Sequence, residues 1–311
     1  DAIAYGITLI KERIIASSEM GIELWNGIKD SSVEHCKIDG TQFGISLNSC
    51  ENVTVALNKI WRNSYTGIEL AESTTHCNVK LNTIDEYVVT AGVKGRGGQR
   101  GIISSGNPCT YNVVSDNIIR GAANAGIELQ DNSYGFVRNN KIYDCNILVD
   151  LKNCDFTGLI DNELYGPCNY HAFLDFNDKD CTDIKIAGNH FYGSAGFDNI
   201  IVYSAPTGRV VTNLTITRNE MSAATFVNKS FNIALPNGST PNLQIYDNEH
   251  APSMASSYQD MTYSPELTPP YRTTLQHAGI SVAAKRSLVI QPNAAEQWVK
   301  VFSASYSAPL Y

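Results

Sequence analysis

The chain has 311 residues, of which 43% are hydrophobic and 17% are charged. This composition excludes a disordered tail, and no apolar run approaches the ~18 residues of a membrane span. The net charge of −8 argues against a nucleic acid as the main partner, because phosphates would be repelled. The chain opens at Asp1 without an initiator methionine or a signal-like stretch, so we expect it to be part of a longer protein.

A short motif of the form Gly-Ile-x-Leu recurs along the chain. Its alternation of apolar and polar positions is typical of a β-strand with one buried face. The first five copies are clear and the later ones are more degenerate. The copies are Gly21–Leu24, Gly44–Leu47, Gly67–Leu70, Gly101–Ser104, Gly126–Leu129, Leu148–Leu151, Phe173–Phe176, Ile200–Tyr203 and Asn232–Leu235.

A second motif, an aliphatic residue followed three positions later by asparagine, trails these strands by about fourteen residues. A base period of 22 to 24 residues with occasional insertions is typical of a solenoid. Asparagine tolerates left-handed backbone, and its amide can hydrogen-bond to neighbours above and below. We therefore predict that these residues stack in one turn of every coil. They are Asn58, Asn82, Asn117, Asn140, Asn162, Asn189, Asn219 and Asn248.

Together the two motifs predict an all-β fold, a right-handed single-stranded parallel β-helix over residues 1–250. A leucine-rich repeat is the rival architecture, because Leu243 to Asn248 also fits its Leu-x-Leu-x-x-Asn pattern. That fold needs a leucine-rich and often helical convex segment. The remainder of each repeat here is instead a second strand with Gly, Ser, Thr and Asn around it, which favours the β-helix.

Eight cysteines are present, and none forms a Cys-x-x-Cys pair. Four of them, Cys50, Cys109, Cys154 and Cys181, lie eight residues before a motif asparagine. Cysteines at one point of a repeat are predicted to pack as small buried hydrophobes. We expect eight reduced thiols, no intrachain disulfide and folding in a reducing compartment.

The longest early insertion lies between residues 85 and 101 and carries Lys94, Arg96 and Arg100 among glycines. It is not a phosphate-binding loop, because the Gly-Lys-Ser/Thr ending is missing. The three cations could clamp the carboxylates of an acidic sugar. They could equally lie on a solvated loop.

The third residue of each Gly-Ile-x-Leu copy is predicted to face outward, away from Ile and Leu. Successive coils are ~4.8 Å apart, so three carboxylates in consecutive coils would repel one another and raise at least one pKa. A glycosidase needs two carboxyl groups, ~5–5.5 Å apart for retention or ~6.5–9.5 Å for inversion. Glu128, Asp150 and Asp175 are therefore the candidate catalytic residues, and a solvated acidic stripe is the alternative. The predicted column is Glu23, Ser46, Glu69, Ile103, Glu128, Asp150, Asp175, Val202 and Ala234.

Aromatic, amide and charged side chains near this column suit a carbohydrate, which offers hydroxyls and flat C–H faces. Each could also be an ordinary turn or surface residue. The candidates for substrate binding are Glu69, Arg96, Arg100, Tyr170, His171, Asn177, Asp178 and Tyr203.

Beyond Asn248 the composition changes, and only one of the 29 asparagines lies there. Pro265, Pro269 and Pro270 predict a linker over residues 251–275, because proline breaks strand pairing. Strand-like runs after His277 predict the start of a C-terminal β-rich segment over residues 276–311, suited to trimerisation.

Through its Gly-Ile-x-Leu and Val-x-x-Asn-x-Ile repeats over residues 21–250, the sequence resembles the pectate-lyase-like β-helix superfamily. Within it, the sequence is most similar to bacteriophage tailspike and capsule-depolymerase proteins. The resemblance implies a homotrimer in the virion, on the phage tail, assembled in the host cytoplasm and acting at the bacterial cell surface. It implies a bacterial surface polysaccharide, capsule or O-antigen, as partner. No metal, cofactor, nucleic acid or membrane span is expected.

Three functions stay open from the sequence. The first is hydrolysis of a polysaccharide by the carboxylates. The second is a lyase, in which Arg96 or Arg100 neutralises a uronate carboxylate and His171 or Tyr170 removes a proton. The third is an adhesin that binds glycan without cleaving it.

Overall fold

The computed structural model describes residues 4–16, 18–90, 93–106, 109–193, 195, 200–203, 209–221, 231–234, 242–246, 248–250, 261–263, 289–292 and 299–300. Each coil passes through three long sheets, which we name I, II and III in the order in which a coil crosses them. Nearly all neighbouring strands in these sheets pair in parallel. The chain is therefore a parallel β-helix, as predicted. Within the described ranges there is no helix, so none that could cross a membrane.

The strands are numbered in chain order, and the first seven strands of sheet I have six residues each. Sheet I consists of β3 (Met20–Trp25), β6 (Phe43–Asn48), β9 (Thr66–Ala71), β14 (Arg100–Ser105), β18 (Ala125–Gln130), β22 (Ile147–Lys152), β25 (Tyr170–Asp175), β29 (Ile200–Tyr203), β33 (Phe231–Ala234), β36 (Met261–Tyr263), β37 (Val289–Pro292) and β38 (Val299–Lys300). Its last pair, β37 with β38, is antiparallel.

Sheets II and III contain ten strands each. Sheet II consists of β1 (Thr8–Ile10), β4 (Lys29–Glu34), β7 (Glu51–Ala56), β10 (Asn78–Lys80), β16 (Val113–Ser115), β20 (Phe136–Arg138), β23 (Gly158–Ile160), β27 (Lys185–Ala187), β31 (Thr215–Thr217) and β34 (Gln244–Tyr246). Sheet III consists of β2 (Arg13–Ile15), β5 (Lys37–Asp39), β8 (Lys59–Trp61), β11 (Thr83–Asp85), β17 (Ile118–Arg120), β21 (Lys141–Tyr143), β24 (Glu163–Tyr165), β28 (His190–Tyr192), β32 (Glu220–Met221) and β35 (Glu249–His250).

Six short strands lie outside the three long sheets. They are the antiparallel hairpin β12 (Tyr87–Thr90) and β13 (Val93–Arg96), and the parallel pairs β15 (Cys109–Thr110) with β19 (Asn132–Ser133) and β26 (Cys181–Thr182) with β30 (Val211–Thr212).

The interior of the coils is a stack of aliphatic side chains. One coil contributes Ile45 and Leu47 from sheet I, Val55 from sheet II and Ile60 from sheet III, all buried. The next coil places the same kinds of residue in register with them. Because burying one such side chain stabilises a fold by ~1.5–3 kcal/mol, the alternating pattern is sufficient to fix which face points inward.

The glycine of the Gly-Ile-x-Leu motif lies where sheet III turns into sheet I. A Cβ on Gly44 would be 2.4 Å from the carbonyl oxygen of Gly67, and one on Gly67 would be 2.6 Å from that of Gly101. Since a side chain there would collide with the backbone of the next coil, these coils need glycine for close approach. Later coils carry Leu148 and His171 at the equivalent position.

The asparagine ladder occupies the turn between sheets II and III, as predicted. At each of its seven steps, the backbone N–H and the side-chain amide of one asparagine donate to Oδ1 of the next, at 2.9–3.0 Å. The amide of Asn58 also donates to the carbonyl oxygen of Val33 in the preceding coil, at 2.9 Å. The backbone N–H of Cys36 donates to Asn58 and begins the ladder. All eight side chains are buried.

Left-handed backbone in this turn falls on the residue before the ladder asparagine. Leu57 has φ 60°, Leu81 has φ 58° and Arg218 has φ 53°. Of the two properties that the sequence suggested for these asparagines, the structure confirms the amide hydrogen bonds, and it places the left-handed conformation on the preceding residue. The hydrogen bonds of the amide hold that neighbour in a conformation that costs ~1–2 kcal/mol.

All eight cysteines are buried and none forms a disulfide, as predicted. Cys50, Cys109, Cys154 and Cys181 lie in the turn region between sheets I and II, where their side chains face the core. The reducing compartment inferred from them stays a prediction.

A shorter polar stack in the turn from sheet III to sheet I ends in a buried acid. The hydroxyl of Thr41 donates to Oδ1 of Asn63 at 2.6 Å. The backbone N–H and amide of Asn63 donate to the two carboxyl oxygens of Glu86, at 2.8 and 2.9 Å. Burial raises the pKa of Glu86 to about 7. The hairpin β12–β13 leaves the coil directly after Glu86.

Most of the predicted linker, residues 251–275, and of the predicted C-terminal segment, residues 276–311, lies outside the described residues. Those domain boundaries stay predictions. The described pieces beyond residue 250 extend sheet I, because β36 pairs with β33, and β37 with β36.

Replacing Asn140 with alanine should lower the free energy of unfolding by about 2 kcal/mol or more. The change leaves the buried N–H groups of Asn117 without their acceptor, and an unsatisfied buried polar group costs ~1–3 kcal/mol. Urea unfolding followed by circular dichroism measures the loss. The matched control is Asn78→Ala on sheet II, outside the ladder, which should change stability by less than about 0.5 kcal/mol. Equal losses in both variants would contradict the role given to the ladder.

Replacing Glu86 with glutamine should remove a pH dependence of stability. Because the pKa of Glu86 is raised by burial to about 7, the folded state binds more protons than the unfolded state between about pH 4.5 and 7. The contribution of this group is therefore fully favourable below pH 4.5 and is lost as the pH rises through 7. Urea unfolding measured at pH values from 4 to 9 should show that the free energy of unfolding of the parent falls by up to about 3 kcal/mol relative to that of the variant. The exposed control Glu72→Gln should keep the parental slope.

Candidate functional site

The predicted carboxylate column runs along the outer face of sheet I with a corrected register. In consecutive coils it contains Glu128, Asp150 and then Phe173. Asp175 was predicted to continue the column but lies two residues further along β25, opposite Lys152. The degenerate motif of β25 has no glycine to mark its start, so the alignment was two residues off. A shift of two keeps Asp175 on the same face of the strand.

The predicted register was also wrong in the following two coils. Ile201, rather than Val202, pairs with Phe173, and Asn232, rather than Ala234, comes next. The β29 error is a shift of one residue, which exchanges the two faces of a strand.

Glu128 is buried and held by two cations. Nε of Arg100 donates to its Oε2 at 2.5 Å, and Nζ of Lys152 donates to its Oε1 at 3.1 Å. Arg100 begins β14 and Lys152 ends β22, so the cations approach from the two coils that flank Glu128. These two charge-assisted contacts fix the side chain of Glu128 in position.

Asp150 lies one coil from Glu128 and shares Lys152 with it. Nζ of Lys152 is 3.3 Å from Oδ2 of Asp150, while Oδ1 is buried with no hydrogen-bond partner among the described residues. The pKa of Asp150 is raised to about 7, chiefly by burial; Lys152 lowers it, and the charges of Glu128 and Asp175 raise it. The raised pKa favours the protonated form of Asp150 over that of an ordinary aspartate.

Asp175 is the more accessible carboxyl group of the site. Burial raises its pKa, Lys152 lowers it and Asp178 raises it. Asp175 lies one strand over and two residues along from Asp150, a diagonal of ~8 Å between Cα atoms at ordinary strand spacings. An inverting glycosidase leaves room for a water molecule with ~6.5–9.5 Å between its two carboxyl groups, so the pair meets this requirement if its side chains extend in parallel from the strands.

Aromatic side chains flank the carboxylates on both sides along the helix axis. Tyr170 and Phe173 pack with ring centroids 5.1 Å apart, beside Asp150. Tyr65 and Phe43 pack 5.0 Å apart toward the N-terminal end, and the guanidinium of Arg100 lies 5.7 Å from the centre of the Tyr65 ring.

The other predicted binding residues divide into those near the site and those away from it. Glu69 lies on the same column and accepts a hydrogen bond from Ser46 at 2.9 Å, and burial raises its pKa. Asp178 follows Asp175 in the next loop, where its carboxylate accepts from the amide of Asn153 at 2.8 Å. Asn177 precedes it in that loop and is half-buried.

Arg96 and His171 lie away from the carboxylate column, and only the backbone of Tyr203 is described. Arg96 lies at the turn from sheet III to sheet I and forms an ion pair with Asp144 at 2.9 Å. His171 is buried inside the coil, with Nε2 2.9 Å from the carbonyl oxygen of Tyr192, and therefore cannot contact a polysaccharide on the surface. Tyr203 pairs with Asp175 through the backbone of β29. The structure does not describe the side chains of Tyr203 and Lys94.

Lys152 and Tyr65 were missed by sequence reasoning. Lys152 directly follows a Leu-Val-Asp-Leu copy of the motif, so a correct register for β25 would have set it opposite Asp175. Tyr65 precedes its motif by two residues, and no repeat pattern marks it.

Replacing Lys152 with methionine should raise the pKa of Asp150 above about 7. The positive charge 3.3 Å from its carboxylate is lost, while the burial that opposes ionisation remains. The ¹³C shift of the aspartate carboxyl groups as a function of pH measures this. The matched control is Lys185→Met, an exposed position on sheet II. An unchanged titration in the Lys152 variant would contradict the contact.

Comparison with known proteins places the chain among β-helices. A family model described as periplasmic copper-binding protein (NosD) matches residues 5–196. No curated protein sequence matches significantly. DFA-IIIase from Arthrobacter chlorophenolicus A6 in complex with DFA-III has a TM-score of 0.58 at 11% identity, over 78% of this chain and 64% of that one. PfbA, a surface adhesin of Streptococcus pneumoniae, has a TM-score of 0.56 at 10% identity, over 80% and 70% of the two chains.

A third solved structure, the A-module of mannuronan C-5 epimerase AlgE4 from Azotobacter vinelandii, has a TM-score of 0.50 at 12% identity, over 79% of this chain and 81% of that one. At these identities the likeness is one of fold alone. The chain spans 56% to 64% of the length of the DFA-IIIase chains it matches.

The family description names copper, and the described residues do not fit a copper site. Copper is bound by clustered imidazole, thiolate and thioether groups. Among the described residues, no three His, Cys, Asp or Glu side chains come together as a metal site. The thiols are buried, and burial raises the pKa of Cys145 and of Cys154 to about 12, which opposes formation of the thiolate. No step of the chemistry below therefore involves copper.

Proposed function

This chain belongs to the NosD family, and from its β-helix and the carboxyl groups on sheet I we propose that it binds and hydrolyses a bacterial surface polysaccharide. The observation that carries the proposal is the pair Asp150 and Asp175. Both have a raised pKa, and both lie on one face of adjacent strands beside aromatic rings.

In the proposed reaction Asp150 is the general acid and Asp175 the general base. Asp150 gives its proton to the glycosidic oxygen as the bond from that oxygen to the anomeric carbon breaks. Asp175 takes a proton from a water molecule whose oxygen forms the new bond to the anomeric carbon. The ~8 Å diagonal supports inversion, because a water molecule fits between the groups.

Glu128 has a different role in this proposal from the one its place in the column suggested. Adjacent coils put it at ~4.8 Å from Asp150, near the spacing of a retaining pair. Both of its carboxyl oxygens, however, are bound by Arg100 and Lys152. It is therefore a positioning residue that holds the two cations beside the acid.

Access to Asp150 requires a side chain to move. The residue is 2% exposed, whereas the side chain of Lys152 is 27% exposed. The proposal is that a sugar entering over Phe173 and Asp175 displaces the Lys152 ammonium from Oδ2 of Asp150. Loss of that positive charge raises the pKa of Asp150, and the proton stays on Asp150 until the glycosidic oxygen is in place.

Solved structures with the same fold give further support, since they include a mannuronan epimerase, a DFA-IIIase in complex with DFA-III and a surface adhesin. Two competing functions are the lyase and the adhesin that the sequence left open, and one of these neighbours is itself a surface adhesin.

Replacing Asp150 or Asp175 with asparagine should lower the rate of polysaccharide cleavage by about 10²-fold or more, the usual contribution of general acid–base catalysis. New reducing ends released from a panel of capsules and O-antigens measure cleavage. The matched control is Asp116→Asn, at an exposed left-handed position that asparagine tolerates; it should retain the parental rate.

Three results would overturn this assignment. Unchanged rates in both variants would move the site elsewhere. Unsaturated, ultraviolet-absorbing ends in place of saturated ones would make the enzyme a lyase. Binding without any product would make the protein an adhesin.

The proposal includes a setting, a phage tailspike in the virion that assembles in the host cytoplasm and acts at the bacterial cell surface. Eight unpaired thiols and the net charge of −8 support it. We further propose a homotrimer. Light scattering of the parent protein should give three times the mass of the chain, and a stable monomer would contradict this part of the proposal.

A further inference from the structure

One outward column of sheet III has a run of like charges in its first three coils. Arg13, Lys37 and Lys59 pair directly with one another through the backbone. All three are exposed, and the strands place them in a line along the helix axis with ~4.8 Å between neighbours. Like charges directly opposite one another destabilise a sheet.

The same column pairs opposite charges further along the helix. Nζ of Lys141 is 3.0 Å from the carboxylate of Glu163, and Nδ1 of His190 is 3.2 Å from that of Glu220. In the part of the chain that the structure describes, no ion pair involves any of the first three cations. Toward its C-terminal end the column therefore contains ion pairs. Among the described residues, its three N-terminal cations have no carboxylate partner.

The carboxylates near the three cations are each bound by, or adjacent to, another cation. Asp39, two residues from Lys37 on β5, is bound by two nitrogens of Arg62. Lys11 and Glu12, in the turn before β2, are exposed and opposite in charge. The face therefore has an excess of positive charge in a chain whose net charge is −8.

The neighbouring outward column contains Ile15, Asp39 and Trp61 in the same three coils. Ile15 is 56% exposed and Trp61 is half-buried, while Asp39 between them is paired with Arg62. A row of single charges beside exposed apolar side chains matches a polymer with one anionic group per unit and flat C–H faces between.

We propose that Arg13, Lys37 and Lys59 form a binding site for an acidic polysaccharide, which lies along the axis of sheet III with its carboxylates on successive coils. The site is on a different sheet from Asp150 and Asp175, and it does not depend on their chemistry. A duplex nucleic acid fits less well, because it would bring two dense rows of phosphates toward an acidic protein.

The test is binding of sodium polygalacturonate, measured by isothermal titration calorimetry at low and at physiological salt. The protein carries Asp150→Asn and Asp175→Asn, so that cleavage does not interfere. The triple variant Arg13→Gln, Lys37→Gln, Lys59→Gln should bind at least about tenfold more weakly and with less dependence on salt. Neutral dextran should not bind the parent.

The matched control is Lys141→Gln, which removes an exposed cation of the same column that is already paired. It should leave the affinity within about twofold of the parent. The triple variant should also be as stable as the parent or more stable, because it removes like-charge repulsion. Loss of affinity with retained melting temperature distinguishes a binding site from damage to the fold.

Three outcomes would overturn the proposal: equal affinity in the triple variant and the parent, an equal loss in the Lys141 control, or tighter binding of the parent to duplex DNA or to anionic phospholipid vesicles than to polygalacturonate. If the parent cleaves polysaccharide but the triple variant binds polygalacturonate as tightly as the parent, this site is wrong and the proposed hydrolysis stands. If the triple variant binds more weakly but the parent cleaves no polysaccharide, this site stands and the proposed hydrolysis is wrong.

Discussion

Hydrogen bonding from each coil to the next, at a spacing of ~4.8 Å, is the constraint on which the whole molecule depends. The asparagine ladder makes it strict, because each amide accepts two N–H groups from one coil and donates to another. A change in the length of the ladder turn would break this chain of donors and acceptors, whereas a change elsewhere in the coil would not. Insertions therefore occur between the long strands, as the hairpin after Glu86 does, and the ladder turn itself keeps its length.

The same spacing brings side chains of identical position into contact whatever their charge. On sheet I this sets Glu128 against Asp150, and the chain compensates with Arg100 and Lys152. The compensation is incomplete, and burial leaves the pKa of Asp150 near neutrality. A fold that stacks equivalent positions therefore brings carboxyl groups close together and shifts their pKa values.

The two faces that carry the proposals differ in how this repulsion is handled. Sheet I encloses its like charges together with cations, which creates a half-buried site of mixed charge suited to moving a proton. Sheet III leaves Lys37 and Lys59 exposed and uncompensated, which suits electrostatic attraction of a polymer. Burial makes the difference, because the interaction of charges is screened at the surface and strong in the interior.

The sequence by itself determined the β-helix, the stacked asparagines and the buried thiols, because each depends on a pattern that repeats with the coil. It also identified Glu128 and Asp150 as neighbours, since clear copies of the motif align them. Only the tertiary structure decided the place of Asp175, the contacts of Lys152 and the burial of His171. Where a coil loses its glycine, a shift of two residues preserves the apolar alternation, and only backbone pairing between coils fixes which side chains meet.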